Sequence, residues 1–434
     1  MRMNSLRKDT LIAGLALFAM FFGAGNLIFP PSIGFTSGTA WLPSLLGFLI
    51  TGVGLILLGI ISVAKSGGTV DTFSERVAPW FGKFLGTLII LAIGPMLAIP
   101  RTGAVTYELA FQPHFDVPAW LVTAGFFLIT LIFSIKPQGI IDRIGQILAP
   151  VLVFVMTVIV VIGIFDPVGS PAEKGLESAF AQGFTDGYQT MDVLAAILFG
   201  GLTFAGLKSK GYSKFSDQLS ITIKAGLIAA SGLTFIYGGL LYIGATFSGA
   251  DLPADIATSQ LLLSIIESIL GQAGLILLGI AITFACLTTS VGLSATVGEF
   301  FHKLSGGKIP YSALIVATCL FSWYFSIQGV DSLIKVAVPV LSILYPVTIA
   351  LIFLNLLGDF LPDWAFKVVT FSTLLQSTLS QISFGEEFQF VGSIISDTLP
   401  MVLYPGLAVM VIALSLSKRQ KNKTALETES TKIQ

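Results

Sequence analysis

The chain has 434 residues, of which 54% are hydrophobic and only 11% are Asp, Glu, Lys or Arg, and its formal net charge is −1. Soluble proteins carry about 25% charged residues, so most of this surface must face lipid rather than water. A net charge near zero disfavours nucleic-acid binding, and the lack of a Gly-Lys-Ser/Thr phosphate-binding loop disfavours ATP hydrolysis.

Cysteine and histidine are scarce, and their positions do not indicate a metal or catalytic site. Cys286 and Cys319 lie inside apolar runs, where buried packing is the common role of cysteine. His114 and His302 lie in short polar loops without metal-ligand spacing. No nucleophile–base constellation is recognisable in the sequence. We therefore expect a protein that is not an enzyme and that uses no organic cofactor.

Crossing a bilayer takes roughly 20 apolar residues, and segments of that length recur about twelve times. The first is too long for a secretory signal and is predicted to be retained. The predicted spans are 10–33, 41–64, 82–108, 119–135, 139–165, 189–207, 218–247, 272–300, 309–327, 331–356, 366–384 and 399–416. The longest loops between them are predicted at 166–188 and 248–271, on the outer side.

Positive charge is distributed unevenly between the two ends of these spans. Most of the 23 Lys and Arg residues fall in loops on the side of the N-terminus. Because cytoplasmic loops are enriched in Lys and Arg, both termini are predicted to be cytoplasmic. Residues 1–418 are predicted to form a single transmembrane domain, followed by a cytoplasmic tail at 419–434.

The first span contains Gly23, Gly25, Asn26 and the pair Pro30 and Pro31, which are poor helix formers. A break there would free carbonyls at the end of one half-helix and amides at the start of the next. A membrane tolerates such groups only where they line a cavity or find other partners. Close packing of small residues, with a proline kink near the end of the span, accounts for this stretch about equally well.

The sixth span also carries glycine at mid-depth, in the segment 197–206, where Gly200 and Gly201 are adjacent. Spans one and six are then the first helices of two five-helix halves, and an odd number of helices inverts the second half. Glycine-interrupted segments at matching positions of two halves indicate a transporter site. Amide ends of half-helices suit a carboxylate, and carbonyl ends suit an ammonium or sodium ion, so the pair predicts a site for a zwitterion.

Three consecutive hydroxyls occur in the eighth span, at Thr288, Thr289 and Ser290, within the segment 285–292. Hydroxyls in a membrane helix commonly bond back to carbonyls one turn earlier. Alternatively, one or two of them join backbone carbonyls around a small, hard cation.

From about residue 9 to residue 418, the chain resembles the bacterial branched-chain amino acid:cation symporter family. The stretches that carry the resemblance are 21–31, 94–95, 98–103, 187–192, 285–292 and 331–339. The resemblance implies an all-α polytopic membrane protein with a LeuT-like five-plus-five inverted repeat, broken first and sixth helices and two extra C-terminal helices. Repeat one then covers about 10–165, repeat two about 189–356 and the extra helices about 366–416.

The resemblance also implies a sodium site between the first and eighth spans. Its expected ligands are the carbonyls of Ala19, Phe22 and Ala285 and the hydroxyls of Thr288 and Thr289. Ser290 replaces one of these hydroxyls if the register is shifted by one residue. Asn26 matches a ligand of a second sodium site in some relatives, but its other partners are not recognisable, so one coupled sodium is expected.

For the substrate, the resemblance implies that backbone groups suffice and that no charged side chain is needed. The amides of Gly23, Ala24 and Gly25 are expected to hold the carboxylate. Carbonyls near Phe199 are expected to take the ammonium, with the helix break at Gly200 and Gly201. Arg101 and Asp192 fall within the motifs of the family and are candidate gating residues, although a structural ion pair is an equal alternative.

The implied function is the import of leucine, isoleucine and valine with sodium across the bacterial plasma membrane. The lipid bilayer is the expected surrounding, and no obligate protein partner is expected. Proton coupling is the alternative, although the residues 145–165 contain no ionisable group that could replace sodium. A membrane receptor that binds an amino acid without transporting it is the remaining alternative, disfavoured by the short internal loops.

Overall fold

The computed structural model describes residues 2–136, 149–252 and 256–381. Every regular element within these ranges is a helix, which agrees with the expected all-α fold. The predicted twelfth span at 399–416 and the tail at 419–434 lie outside the described residues, as do the first part of the fifth span and the end of the eleventh. The count of twelve spans therefore stays a prediction.

The described first half of the chain forms helices that follow one another closely. They are α1 (Arg2–Phe21), α2 (Ala24–Ser37), α3 (Trp41–Leu49), α4 (Leu55–Lys65), α5 (Val70–Ser74), α6 (Pro79–Leu91), α7 (Ala98–Thr106), α8 (Ala119–Ser134) and α9 (Ala149–Phe165). Five-residue π-helical segments join α3 to α4 and lie between α6 and α7, so each pair forms one nearly continuous span.

The second half continues with helices of more varied length. They are α10 (Ala179–Asp186), α11 (Asp192–Ser209), α12 (Phe215–Thr246), α13 (Thr258–Leu304), α14 (Tyr311–Ser326), α15 (Val330–Leu356) and α16 (Asp363–Leu379). Helix α13 bends at Gly271, whose φ of 60° and ψ of −155° are accessible mainly to glycine. The predicted loops 166–188 and 248–271 thus contain α10 and the first part of α13.

Six helical runs in the described residues are long and apolar enough to cross a membrane. These runs are Ala24–Lys65, Pro79–Phe111, Asp192–Ser209, Phe215–Thr246, Thr258–Leu304 and Val330–Leu356. Shorter apolar helices at Ala119–Ser134, Ala149–Phe165 and Tyr311–Ser326 accompany them. Length and composition together indicate an integral membrane protein.

The first span is interrupted between α1 and α2, where Phe22 and Gly23 leave the helix. Gly23 is extended, with φ −106° and ψ −162°. A Cβ atom at Gly23 would lie 2.8 Å from Oγ1 of Thr289, so only glycine fits this approach to α13. Helices α1 and α2 pack against α12 and α13, and this places the interruption in the buried centre of the protein.

The predicted break in the sixth span at Gly200 and Gly201 is wrong, because α11 runs through both residues without interruption. Gly201 serves close packing instead, whereas Gly200 leaves room for an ordinary contact. A Cβ at Gly200 would lie 3.4 Å from Cα of Ile60, and one at Gly201 would lie 3.0 Å from the carbonyl oxygen of Gly68. The chain departs from the helix earlier, at Met191, whose φ of 64° is left-handed.

Candidate functional site

A small cavity of about 20 Å³ lies at the interruption of the first span. Its walls are the end of α1, the start of α2 and parts of α7, α11 and α13. This volume holds about one water molecule, so an amino acid can enter only if these helices move apart. Among the residues that line the cavity are Gly23, Ala24, Gly25, Asn26, Arg101, Asp192, Phe199 and Thr289.

The last turn of α1 ends against hydroxyls of α13. Oγ1 of Thr288 lies 2.7 Å from the carbonyl oxygen of Ala19 and 2.8 Å from that of Ala285, and its single hydrogen can be donated to either. The hydroxyl of Thr289 donates to the carbonyl of Met20 at 2.8 Å. Carbonyls at a helix end have no partner within the helix, so these threonines supply their hydrogen bonds.

Three of the five predicted cation ligands therefore meet at one point, namely Ala19, Ala285 and Thr288. Thr289 contacts the adjacent carbonyl of Met20, which the sequence analysis did not include. Phe22 lies in the interruption itself, beside these groups. The alternative ligand, Ser290, accepts a hydrogen bond from Thr130 of α8 at 3.3 Å and faces that helix.

The first turn of α2 forms the facing wall of the cavity. Gly23 precedes this helix and carries no side chain that could cap it, so the amides of Ala24 and Gly25 have no side-chain cap from Gly23. The amide of Gly23 itself donates to the carbonyl of Phe21 at 2.8 Å, so the expectation that it holds a carboxylate is not met. Gly23, Ala24 and Gly25 all line the cavity, which is where the sequence analysis expected a carboxylate.

Arg101 of α7 closes the cavity beside Gly25. Its side chain is 2% exposed, and Nη1 donates to the carbonyl oxygen of Gln189 at 2.9 Å. Nη2 lies 2.5 Å from the position that a Cβ of Gly25 would occupy. The guanidinium also lies 5.4 Å from the ring centroid of Phe29, within range of a cation–π interaction.

Asp192, at the start of α11, belongs to a buried polar network that links three helices. Its Oδ2 accepts a hydrogen bond from Nδ2 of Asn26, and the hydroxyl of Tyr237 lies 3.4 Å from the same oxygen. Asn26 also contacts the hydroxyl of Tyr237. The sequence analysis missed Tyr237, although a tyrosine within an apolar span is a detectable signal for a buried polar partner.

The expected ammonium site at Phe199 is not formed by its backbone. The carbonyl of Phe199 lies within the continuous helix α11 and accepts a hydrogen bond from the hydroxyl of Thr203 at 2.8 Å. The ring of Phe199 does reach the cavity and packs edge-on against Phe21, with centroids 5.3 Å apart. Gly201 lines a different cavity, and Gly200 faces Ile60.

Two larger cavities lie on either side of the central one. The first, of about 430 Å³, is lined by the ends of α7, α13, α14 and α15, including Glu108 and Asp331, on the predicted outer side. The second, of about 120 Å³, is lined by α11 and α13 residues such as Leu198 and Glu299, on the predicted cytoplasmic side. The central cavity thus lies between two wider spaces.

Comparison with known proteins identifies the family of this chain. The model of a family described as branched-chain amino acid transport protein matches residues 6–421. The chain belongs to this family. The branched-chain amino acid permease BraB of Bacillus subtilis (strain 168) is 41% identical over 358 residues, which cover 80% of each protein. As a member of this family, the chain is a membrane transport protein.

Solved structures share the fold of this family member at low sequence identity. The transporter MhsT in complex with L-phenylalanine is 18% identical, with a TM-score of 0.57 over 93% of this chain and 98% of that chain. A manganese transporter of Eremococcus coleocola is 13% identical, with a TM-score of 0.58 over 95% of this chain and 96% of that one. The expected LeuT-like fold class is confirmed by these matches.

Proposed function

We propose that this protein imports the branched-chain amino acids leucine, isoleucine and valine across the bacterial plasma membrane by symport with sodium. The observation that carries the proposal is the interruption at Phe22 and Gly23. It places the carbonyl end of α1 and the amide end of α2 next to each other in the buried centre, the arrangement that suits a cation and a carboxylate together.

The proposed sodium site uses the oxygens gathered between α1 and α13. The carbonyl oxygens of Ala19 and Ala285 lie 2.7 Å and 2.8 Å from Oγ1 of Thr288. These are neutral oxygen ligands, the kind that unwound helix ends offer to sodium in transporters. Phe22 and Thr289 complete the proposed set, and the carbonyl of Met20, which accepts a hydrogen bond from Thr289, is adjacent.

The proposed substrate site lies on the other side of the interruption. The amides of Ala24 and Gly25 receive the carboxylate at the positive end of α2, whereas the amide of Gly23 donates to the carbonyl of Phe21. The ammonium faces Asp192, a carboxylate that lines the same cavity and is 3% exposed. Apolar side chains such as that of Phe199 border the remaining space and suit an aliphatic side chain.

Leucine binding to the purified protein tests this proposal directly. In sodium buffer, leucine, isoleucine and valine should bind, and lysine and glutamate should not. Replacing sodium by choline at the same pH and ionic strength should weaken leucine binding, because the ion and substrate sites share the ends of one interrupted helix. Failure to bind any of the three amino acids in sodium would refute the proposal.

One observation favours proton coupling as a second candidate. Asp192 is a buried carboxylate beside the cavity, held by Asn26 and Tyr237, and such a group can carry a proton through the transport cycle. Under this mechanism, a pH gradient drives leucine uptake without sodium, and Asp192→Asn abolishes that uptake. Under sodium coupling, leucine binding to Asp192→Asn is weaker but keeps its dependence on sodium.

A further inference from the structure

We propose that Arg101 binds the carboxylate of the transported amino acid, together with the first-turn amides of α2. This inference rests on the proposed function and adds a charged side chain to a site that the sequence analysis assigned to backbone groups alone. It assigns to Arg101 a direct contact with substrate.

The position of the guanidinium supports this role. Nη2 of Arg101 lies against Gly25, 2.5 Å from where a Cβ would be, so the group occupies the side of the first turn of α2. Nη1 is fixed by its hydrogen bond to the carbonyl of Gln189. Arg101 and residues 23–26 line the same cavity. The guanidinium and the helix terminus therefore present their N–H groups to one small space.

The charge of Arg101 lacks a close counter-ion among the residues that the structure describes. No Asp or Glu carboxylate in the described parts of the chain comes within 4.0 Å of its nitrogens. Asp192 acts on it electrostatically from a greater distance. Nε of Arg101 is buried and has no hydrogen-bond partner among the described residues. A buried cation is costly unless it is paired, so an anionic ligand group would satisfy Arg101.

The helix terminus adds to the attraction for an anion. Helix α2 has 14 residues, and its N-terminus carries free amides and the positive end of the helix dipole. A carboxylate has two oxygens, which can accept hydrogen bonds from both the amides and the planar guanidinium. Asp192 lines the same cavity and is held by Asn26 of α2, so a zwitterion is oriented with its carboxylate toward Arg101 and its ammonium toward Asp192.

If the role of Arg101 were only structural, its hydrogen bond would connect α7 to the turn at Gln189, and its side chain would not contact the substrate. The two roles differ in what they predict for ligands without a carboxylate. Leucinamide keeps the ammonium and the side chain of leucine but has a neutral amide in place of the carboxylate. Loss of a carboxylate contact weakens leucine selectively, whereas loss of structure weakens both ligands alike.

The test measures the affinities of leucine and leucinamide for wild-type protein, Arg101→Gln and Arg101→Lys in sodium buffer. Arg101→Gln is expected to weaken leucine roughly 10- to 150-fold, the range for a hydrogen bond to a charged group, and to leave leucinamide nearly unchanged. Arg101→Lys keeps the charge but loses the planar fork, so a smaller loss, again confined to leucine, is expected.

Arg76→Gln is the matched control, because Arg76 also donates to backbone carbonyls, those of Gly358 and Leu361, but does not line the cavity. It should change neither affinity. Equal losses for leucine and leucinamide would overturn the inference and leave the proposed function standing. Wild-type protein that does not bind leucine would refute the proposed function itself. If Arg101→Gln does not fold, the selectivity of Arg101→Lys decides between the two roles.

Discussion

At the centre of this protein, two glycines leave room for side chains that pack against their backbone. Gly23 and Gly25 lack side chains, and this lets Thr289 and Arg101 approach the backbone of the interrupted helix. The sequence identified both glycines because several poor helix formers are adjacent there. It did not identify Met20, whose partner Thr289 is 269 residues away, or Tyr237, whose partners Asn26 and Asp192 are 211 and 45 residues away along the chain.

Gly25→Ala tests the close approach of Arg101. The added Cβ would lie 2.5 Å from Nη2 and displace the end of a flexible side chain, so the protein should fold and lose leucine affinity. We expect a loss of about tenfold or more, the effect of one weakened charged hydrogen bond. Gly125→Ala is the control, because its Cβ meets no atom within 4 Å. Unchanged leucine affinity in Gly25→Ala would contradict this role.

Thr288→Ala and Thr289→Ala test the cation site. Each removes one oxygen from the proposed set, which should raise the sodium concentration needed for half-maximal leucine binding roughly 10- to 150-fold. Leucine binding should recover when sodium is raised. Thr203→Ala removes a similar buried hydroxyl, which bonds only to Phe199 on its own helix. If both α13 variants keep the wild-type sodium dependence, as Thr203→Ala should, the cation binds elsewhere.

At the scale of elements, the membrane-spanning segments were predictable because the thickness of the bilayer sets their length. Whether the sixth span is interrupted could not be predicted from the sequence. Glycine in a helix indicates either a break or close packing, and at Gly201 the carbonyl of Gly68, which is distant in sequence, determines that it is packing. The left-handed residue is Met191, and methionine carries no local signal for this conformation.

Gly200→Ala tests the continuity of α11. Its Cβ would meet Cα of Ile60 at 3.4 Å, an ordinary contact, and alanine favours a helix over glycine by about 1 kcal/mol. Leucine affinity should be retained and the melting temperature should not fall. Gly201→Ala brings a Cβ to 3.0 Å from the carbonyl oxygen of Gly68 and should melt earlier. Loss of leucine binding in a folded Gly200→Ala protein would favour a break at that glycine.

At the scale of the whole molecule, the order of the cavities matches a transport cycle. The central cavity, of about 20 Å³, is too small for leucine, whereas the spaces on either side measure about 430 Å³ and about 120 Å³. Under the proposed function, substrate passes through conformations in which the central cavity is joined to one space or the other. In transporters with interrupted helices, movement of one repeat or bundle against the other around the site supplies such conformations.

Concentrative leucine uptake into proteoliposomes tests the central claim, which is coupling to sodium. An inward sodium gradient imposed at equal pH on both sides should drive accumulation of labelled leucine above its external concentration. A sodium ionophore should abolish that accumulation. Accumulation driven only by an inward proton gradient, with sodium without effect, would contradict the account and assign coupling to a protonated group such as Asp192.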